Sequence, residues 1–227
     1  MNYLSSAVKF IAAGGIWVIP IILVGVVGLG IAIERYLIFF RAVRANRQTW
    51  DQVQPVLHQG DFEKAREITR DDKSALAMLV NVGLENQGVV RRRTDIELAM
   101  EEVMQSIVPQ FQKRVSYLGL LANLATLLGL FGTIVGLIGA FAAVATAAPS
   151  EKSALLSLSI SEAMSCTATG LLIAMPMLTL SLLLNTKAGR IISSLEIATL
   201  KTLNMIVRAG STARISNIQD YVQKKAS

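Results

Sequence analysis

Three stretches of this sequence hold no charged side chain: Phe10–Ile33, Val115–Ser150 and Ala163–Thr186. About 20 apolar residues in a helix cross the hydrocarbon core of a bilayer. Each stretch is long enough. Inside lipid the backbone finds no water to bond with, so the chain must be helical there. The reading is an all-α polytopic membrane protein with three transmembrane helices and long cytoplasmic helical extensions. The middle stretch exceeds one simple span, so part of it projects or tilts. Composition agrees, at 52% hydrophobic residues and a mean hydropathy of +0.50. The first stretch outruns a signal-peptide core of roughly 7–15 residues, and Glu34-Arg35 follows it instead of a small-residue cleavage site. It is read as a retained span.

Orientation follows from the cations. Only Lys9 precedes the first span, and only Lys152 lies between the second and third. The other 20 of the 22 basic residues flank or lie in the 41–114 segment and the 187–227 tail. The N-terminus is therefore expected outside and the C-terminus in the cytoplasm. Topology accounts for the net charge of +6. No aromatic residues interleave a basic patch, so nucleic acid is not an expected partner. Arg91-Arg92-Arg93 reads as a cytoplasmic anchor near anionic lipid heads. Cys166 has no second cysteine to pair with and reads as a small packing residue. His58 has no Cys or His neighbour in sequence, which argues against a metal site.

The expected organisation is an outer segment (1–15), a first span (16–39) and a cytoplasmic helical region (40–114). A second span with a cytoplasmic extension (115–146), an outer turn (147–160), a third span (161–186) and a cytoplasmic helix and tail (187–227) follow. Within 40–114, "HQGDFEKAREITR" and "SALAMLVNVGLEN" read as short helices. "TDIE" fits a capping box with Glu97 reaching back to Thr94. Ile96, Met100, Val103 and Ile107 recur at helical spacing, and the pattern continues past a kink at Pro109 into the second span. One long helix is expected there. The 40–114 region is too short for a deep core of its own, so it is expected to pack on neighbouring subunits. Gly210 is the expected stop of the last helix.

The second span carries the most informative side chains. At about 100° per residue, Gly129, Gly132, Gly136 and Gly139 form one narrow stripe. Such spacing lets membrane helices approach closely. Thr126 and Thr133 lie at the stripe's edge. The third span has two non-lipid faces. Ala163, Thr167, Gly170, Ala174, Ser181 and Asn185 make one; Glu162, Ser165, Cys166, Thr169 and Pro176 make the other. Each hydroxyl has a plain alternative role, bonding a carbonyl of its own helix. Glu162 could equally be a water-facing carboxylate at a helix end. There is no Asp, Glu, His, Lys or Arg from 115 to 150 or from 163 to 186, and proton relays normally need an ionisable group. If protons move here, the titrating group is Glu162 or belongs to a partner. There is no nucleophile–base pair on which to build an enzyme.

Several motifs resemble the MotA/TolQ/ExbB proton-channel family. "LLGLFGTIVG" is similar to its second-span motif. "SEAMSCTATGLLIAMP" is similar to its third-span motif, with Glu162, Thr167, Gly170 and Pro176 in matching spacing. "ERYLIFFR" and "GDFEKARE" also fit, so the resemblance covers most of the chain. Three spans match the ExbB/TolQ arrangement rather than the four-helix MotA one. The resemblance implies a homopentamer in a bacterial inner membrane, around a dimer of an ExbD/TolR-like single-span protein. That partner's membrane Asp would carry the proton, with no other cofactor. Thr133 and Thr167 match the family's pore-facing threonines, and Glu162 the acidic residue above them. Thr126 and Thr169 extend the candidate path. Gly129, Gly132, Gly136, Gly139, Gly170 and Pro176 are the candidate packing residues. Proton flow would shift the partner, and the work would pass to a TonB- or TolA-like protein. Thr126 stands where many members have proline, which leaves the subtype open. The alternative is a non-conducting scaffold of a signalling or secretion complex.

Overall fold

The computed structural model describes residues 15–87 and 92–226, with side chains described as far as residue 209. Nearly all of these residues are helical. The helices are α1 (Val18–Gln59), α2 (Phe62–Arg70), α3 (Ala75–Glu85), α4 (Arg93–Gln112), α5 (Val115–Thr146) and α6 (Lys152–Ala226). Three helical stretches are long and apolar enough to cross a membrane: α1, α4 with α5, and the part of α6 before residue 210. Their outward side chains are the apolar ones. Leu23, Val26, Leu127, Ile138, Leu172 and Leu182 are all more than half exposed. Water would not tolerate so continuous an oily surface, whereas lipid requires it.

The chain divides into two compact units. The first holds the described residues up to Tyr36 together with Arg114–Asn185. Its core is Val18, Ile21 and Val24 of α1, Ala122 and Ala125 of α5, and Cys166, Ala174 and Met177 of α6. Helices in lipid gain little from hydrophobic burial and associate through close packing. Small residues at the contacts supply that closeness. A Cβ placed on Gly170 would lie 2.7 Å from the Ala125 carbonyl oxygen and 2.9 Å from Gly129 Cα. Those are backbone atoms and cannot swing aside. At the other end of this unit, Arg114 donates to both carboxylate oxygens of Glu34, at 2.9 and 3.0 Å.

The second unit comprises Leu37–Lys113 and the residues from Thr186 onward. It is organised differently, around large aliphatic side chains. Val53 of α1, Leu79 and Val80 of α3, Met100 of α4, and Leu195 and Leu203 of α6 are essentially fully buried. Each such side chain contributes about 1.5–3 kcal/mol when taken out of water. A polar knot fastens the loop before α3 to α1. The Thr49 hydroxyl meets the Asp72 carboxylate and lies 2.9 Å from the Ser74 hydroxyl. Ser74 caps α3 by accepting from the Ala77 amide at 3.1 Å. Asn46 accepts from the Leu76 amide at 3.3 Å.

Several expectations are corrected here. The 40–114 region has no core of its own, and within the chain it is α6 that supplies the missing wall, which a reading of 40–114 alone leaves out. There is no capping box at Thr94, because α4 already begins at Arg93 and Arg92 makes no side-chain cap. One long helix does not join α4 to α5. Gln112 ends α4, and Arg114 turns left-handed at φ 65° before α5 starts. Pro109 lies inside α4 and its carbonyl accepts from the Lys113 amide at 2.8 Å, so the break falls at Arg114 and not at the proline. Gly210 does not stop α6, which continues to Ala226. Helix also covers 152–160, so the connection from α5 is a short turn rather than a long loop. The outer segment expected at 1–15 lies almost wholly outside the described residues, as does Arg91.

Candidate functional site: a hydroxyl pair at a glycine crossing

The glycine stripe decides where α5 and α6 touch. A Cβ on Gly129 would meet Gly170 Cα at 3.1 Å and Thr167 Cα at 3.2 Å. On Gly132 it would run into Cys166 Sγ, and on Gly136 it would lie 3.0 Å from Ala163 Cβ. So Gly129, Gly132, Gly136 and Gly170 form the crossing, with the Cys166 thiol filling the space over Gly132. Gly139 has nothing within 4 Å of such a Cβ, and Pro176 is exposed within an unbroken α6. Neither marks a close helix contact among the described residues.

At this crossing the backbones are close enough for side chains to use each other's carbonyls. The Thr133 hydroxyl is in contact with the Thr167 hydroxyl. It lies 3.1 Å from Gly129 O on its own helix and 3.3 Å from Ala163 O across the interface. The Thr167 hydroxyl lies 2.9 Å from Gly129 O, again across the interface. Two hydroxyls thus share two carbonyls reciprocally. Each hydroxyl has one proton to donate and lone pairs to spare. Both threonines are half-buried, so the cluster reaches a surface of the unit. Oxygen atoms so arranged can orient a water and relay a proton. They cannot store one near neutral pH.

The other candidates fall elsewhere. Thr126 bonds Ala122 O of its own helix at 3.2 Å, and Thr169 is buried and bonds Ser165 O at 2.8 Å. Neither joins the pair. Glu162 immediately precedes Ala163, whose carbonyl belongs to the cluster. It is exposed, and its carboxylate covers Gly15, held at φ 68°. It opens onto a cleft of about 290 Å³ that also takes in Trp17, Gly136, Gly139 and Ser159. Thr133 and Thr167 do not line that cleft. Trp17 went unnoticed in the sequence. It packs edge-on against Phe131 with ring centroids 4.9 Å apart, so one wall of the cleft is fixed by α5. The Gly14-Gly15 pair just before it was the available signal for a turn at that point.

A glycine-crossed helix pair with apolar side chains outside and hydroxyls at its centre defines an all-α membrane protein. Residues 71–197, more than half of the chain, match the MotA/TolQ/ExbB proton channel family, and the chain belongs to that family. Its members are channel and stator proteins that work as oligomeric membrane complexes with partner proteins. No curated protein matches the chain.

Proposed function

We propose that this chain is the ring-forming subunit of a proton-driven stator of the ExbB/TolQ type. About five copies would surround a single-span partner of the ExbD/TolR type, in keeping with the family resemblance. The partner's membrane Asp supplies the titrating group that the α5/α6 crossing itself lacks. Proton passage past Thr133 and Thr167 shifts the partner, and the motion is delivered to a TonB- or TolA-like protein outside. The cation asymmetry supports a periplasmic N-terminus and a cytoplasmic C-terminus. The observation that carries this reading is the reciprocal Thr133–Thr167 cluster. A membrane threonine needs only its own i−4 carbonyl, yet these two engage each other. The cluster also reaches the surface, where a partner's acid could approach.

Native mass spectrometry of the complex purified from its own membranes tests the composition. The expected result is several copies of this chain with a smaller, one-span protein bearing a membrane Asp. The complex should cease to cycle when a protonophore collapses the gradient. A complex without such a protein, whose function survives the protonophore, would be a scaffold and would refute the proposal.

A further inference from the structure

The second unit carries two exposed surfaces of opposite charge. The first is a groove of about 600 Å³ between α1 and α6. Its floor is apolar, with Phe40, Val43 and Trp50 on α1 and Ile191, Leu195 and Ile197 on α6. Phe40 and Ile197 are 59% and 54% exposed. The rim is cationic, from Arg47, Lys187, Arg190 and Lys201, and no Asp or Glu lines it among the described residues. The second surface is the outward side of α4. Ile96, Met100, Ile107 and Phe111 face the core. On the wheel, Leu98, Glu101, Glu102 and Gln105 share one arc roughly opposite them, with Glu97 at its edge. All five are exposed, Leu98 to 63%. From Thr94 to Gln112 the chain has four carboxylates and no Lys or Arg. Among the described residues Glu97, Glu101 and Glu102 have no ion-pair partner.

We infer that the α1/α6 groove of one copy receives the acidic face of α4 from the next copy. Leu98 enters the apolar floor, and the carboxylates beside it meet the cationic rim. An amphipathic helix laid in an apolar groove is a recurring mode of recognition. Opposite charges on the two surfaces steer the approach and fix its polarity. The surfaces share no residue, so the contact is head-to-tail. Such contacts close into rings when the rotation per copy allows it. The inference rests on the proposed ring and adds which faces build it outside the spans.

The test uses the full chain in membranes with Cys166→Ala, leaving no native cysteine. One copy carries Leu98→Cys with one tag, and a second carries Ile197→Cys with another. Oxidation should give a mixed-tag disulfide dimer, while two Leu98→Cys copies or two Ile197→Cys copies give none. Lys187→Glu with Arg190→Glu on the Ile197→Cys copy should lower the yield several-fold. Adding Glu97→Lys and Glu101→Lys to the Leu98→Cys copy should restore it. An oligomer of unchanged mass without the mixed dimer would overturn the interface and leave the ring standing. Release of a bound acidic phospholipid by the groove reversal, with no change in cross-linking, would show the groove to be a lipid site and overturn it equally. A monomeric chain would remove both readings.

Discussion

At Thr133 and Thr167 the proposed conducting role and a purely structural one make different demands on one hydroxyl group. A threonine that serves only its own helix can become valine with little consequence, as the two are close in shape. Here the hydroxyls also bind across α5 and α6, where such a bond is worth about 0.6–2 kcal/mol. Thr133→Ser and Thr167→Ser should therefore retain most of the energised activity. Thr133→Val and Thr167→Val should each reduce it sharply while the complex still assembles, as read by activity alongside native mass. Thr126→Val and Thr169→Val should do much less, since both donate only to their own helix. In the second unit, Ser74 holds an equally specific place. It caps α3 and meets Thr49 and Asp72. Ser74→Ala should cost about 1–2 kcal/mol, seen as a lower melting temperature in detergent.

Among the helices, the crossing of α5 and α6 depends on glycines whose replacements would meet backbone. Gly170→Ala forces a Cβ toward the Ala125 carbonyl and Gly129. Overpacking of this kind costs about 1–3 kcal/mol. Gly139→Ala meets nothing within the chain. Thermal melts of the two variants should differ accordingly, with Gly170→Ala the less stable. Much of this was legible in the sequence. The uncharged stretches marked the spans, and the spacing from Gly129 to Gly136 marked the close face. Even the carbonyls had a trace: Thr133 and Thr167 each follow a small residue, Gly129 and Ala163, by four positions. What periodicity does not reveal is pairing between elements far apart in sequence. Nothing near Thr133 says that Thr167 lies against it, and nothing in 40–114 says that α6 completes its core. The break at Arg114 was hidden because arginine rarely adopts a positive φ. Its two hydrogen bonds to the Glu34 carboxylate, 80 residues away, help hold it there.

At the scale of the whole molecule, two kinds of packing meet in one chain. The first unit is held by close backbone approach among small residues, as suits lipid surroundings. The second is held by buried aliphatic side chains and a polar knot, as suits water. Family membership makes the chain a proton-channel protein, and the central claim is that protons pass the Thr133–Thr167 cluster. Proton flux into liposomes holding the purified complex, with its one-span partner and an inside-negative potential, tests this most directly. The native complex should acidify the lumen. The variant with both Thr133→Ala and Thr167→Ala, at unchanged oligomeric mass, should do so at least about tenfold more slowly, a barrier increase of roughly 1.4 kcal/mol. Equal flux from the two would contradict the account.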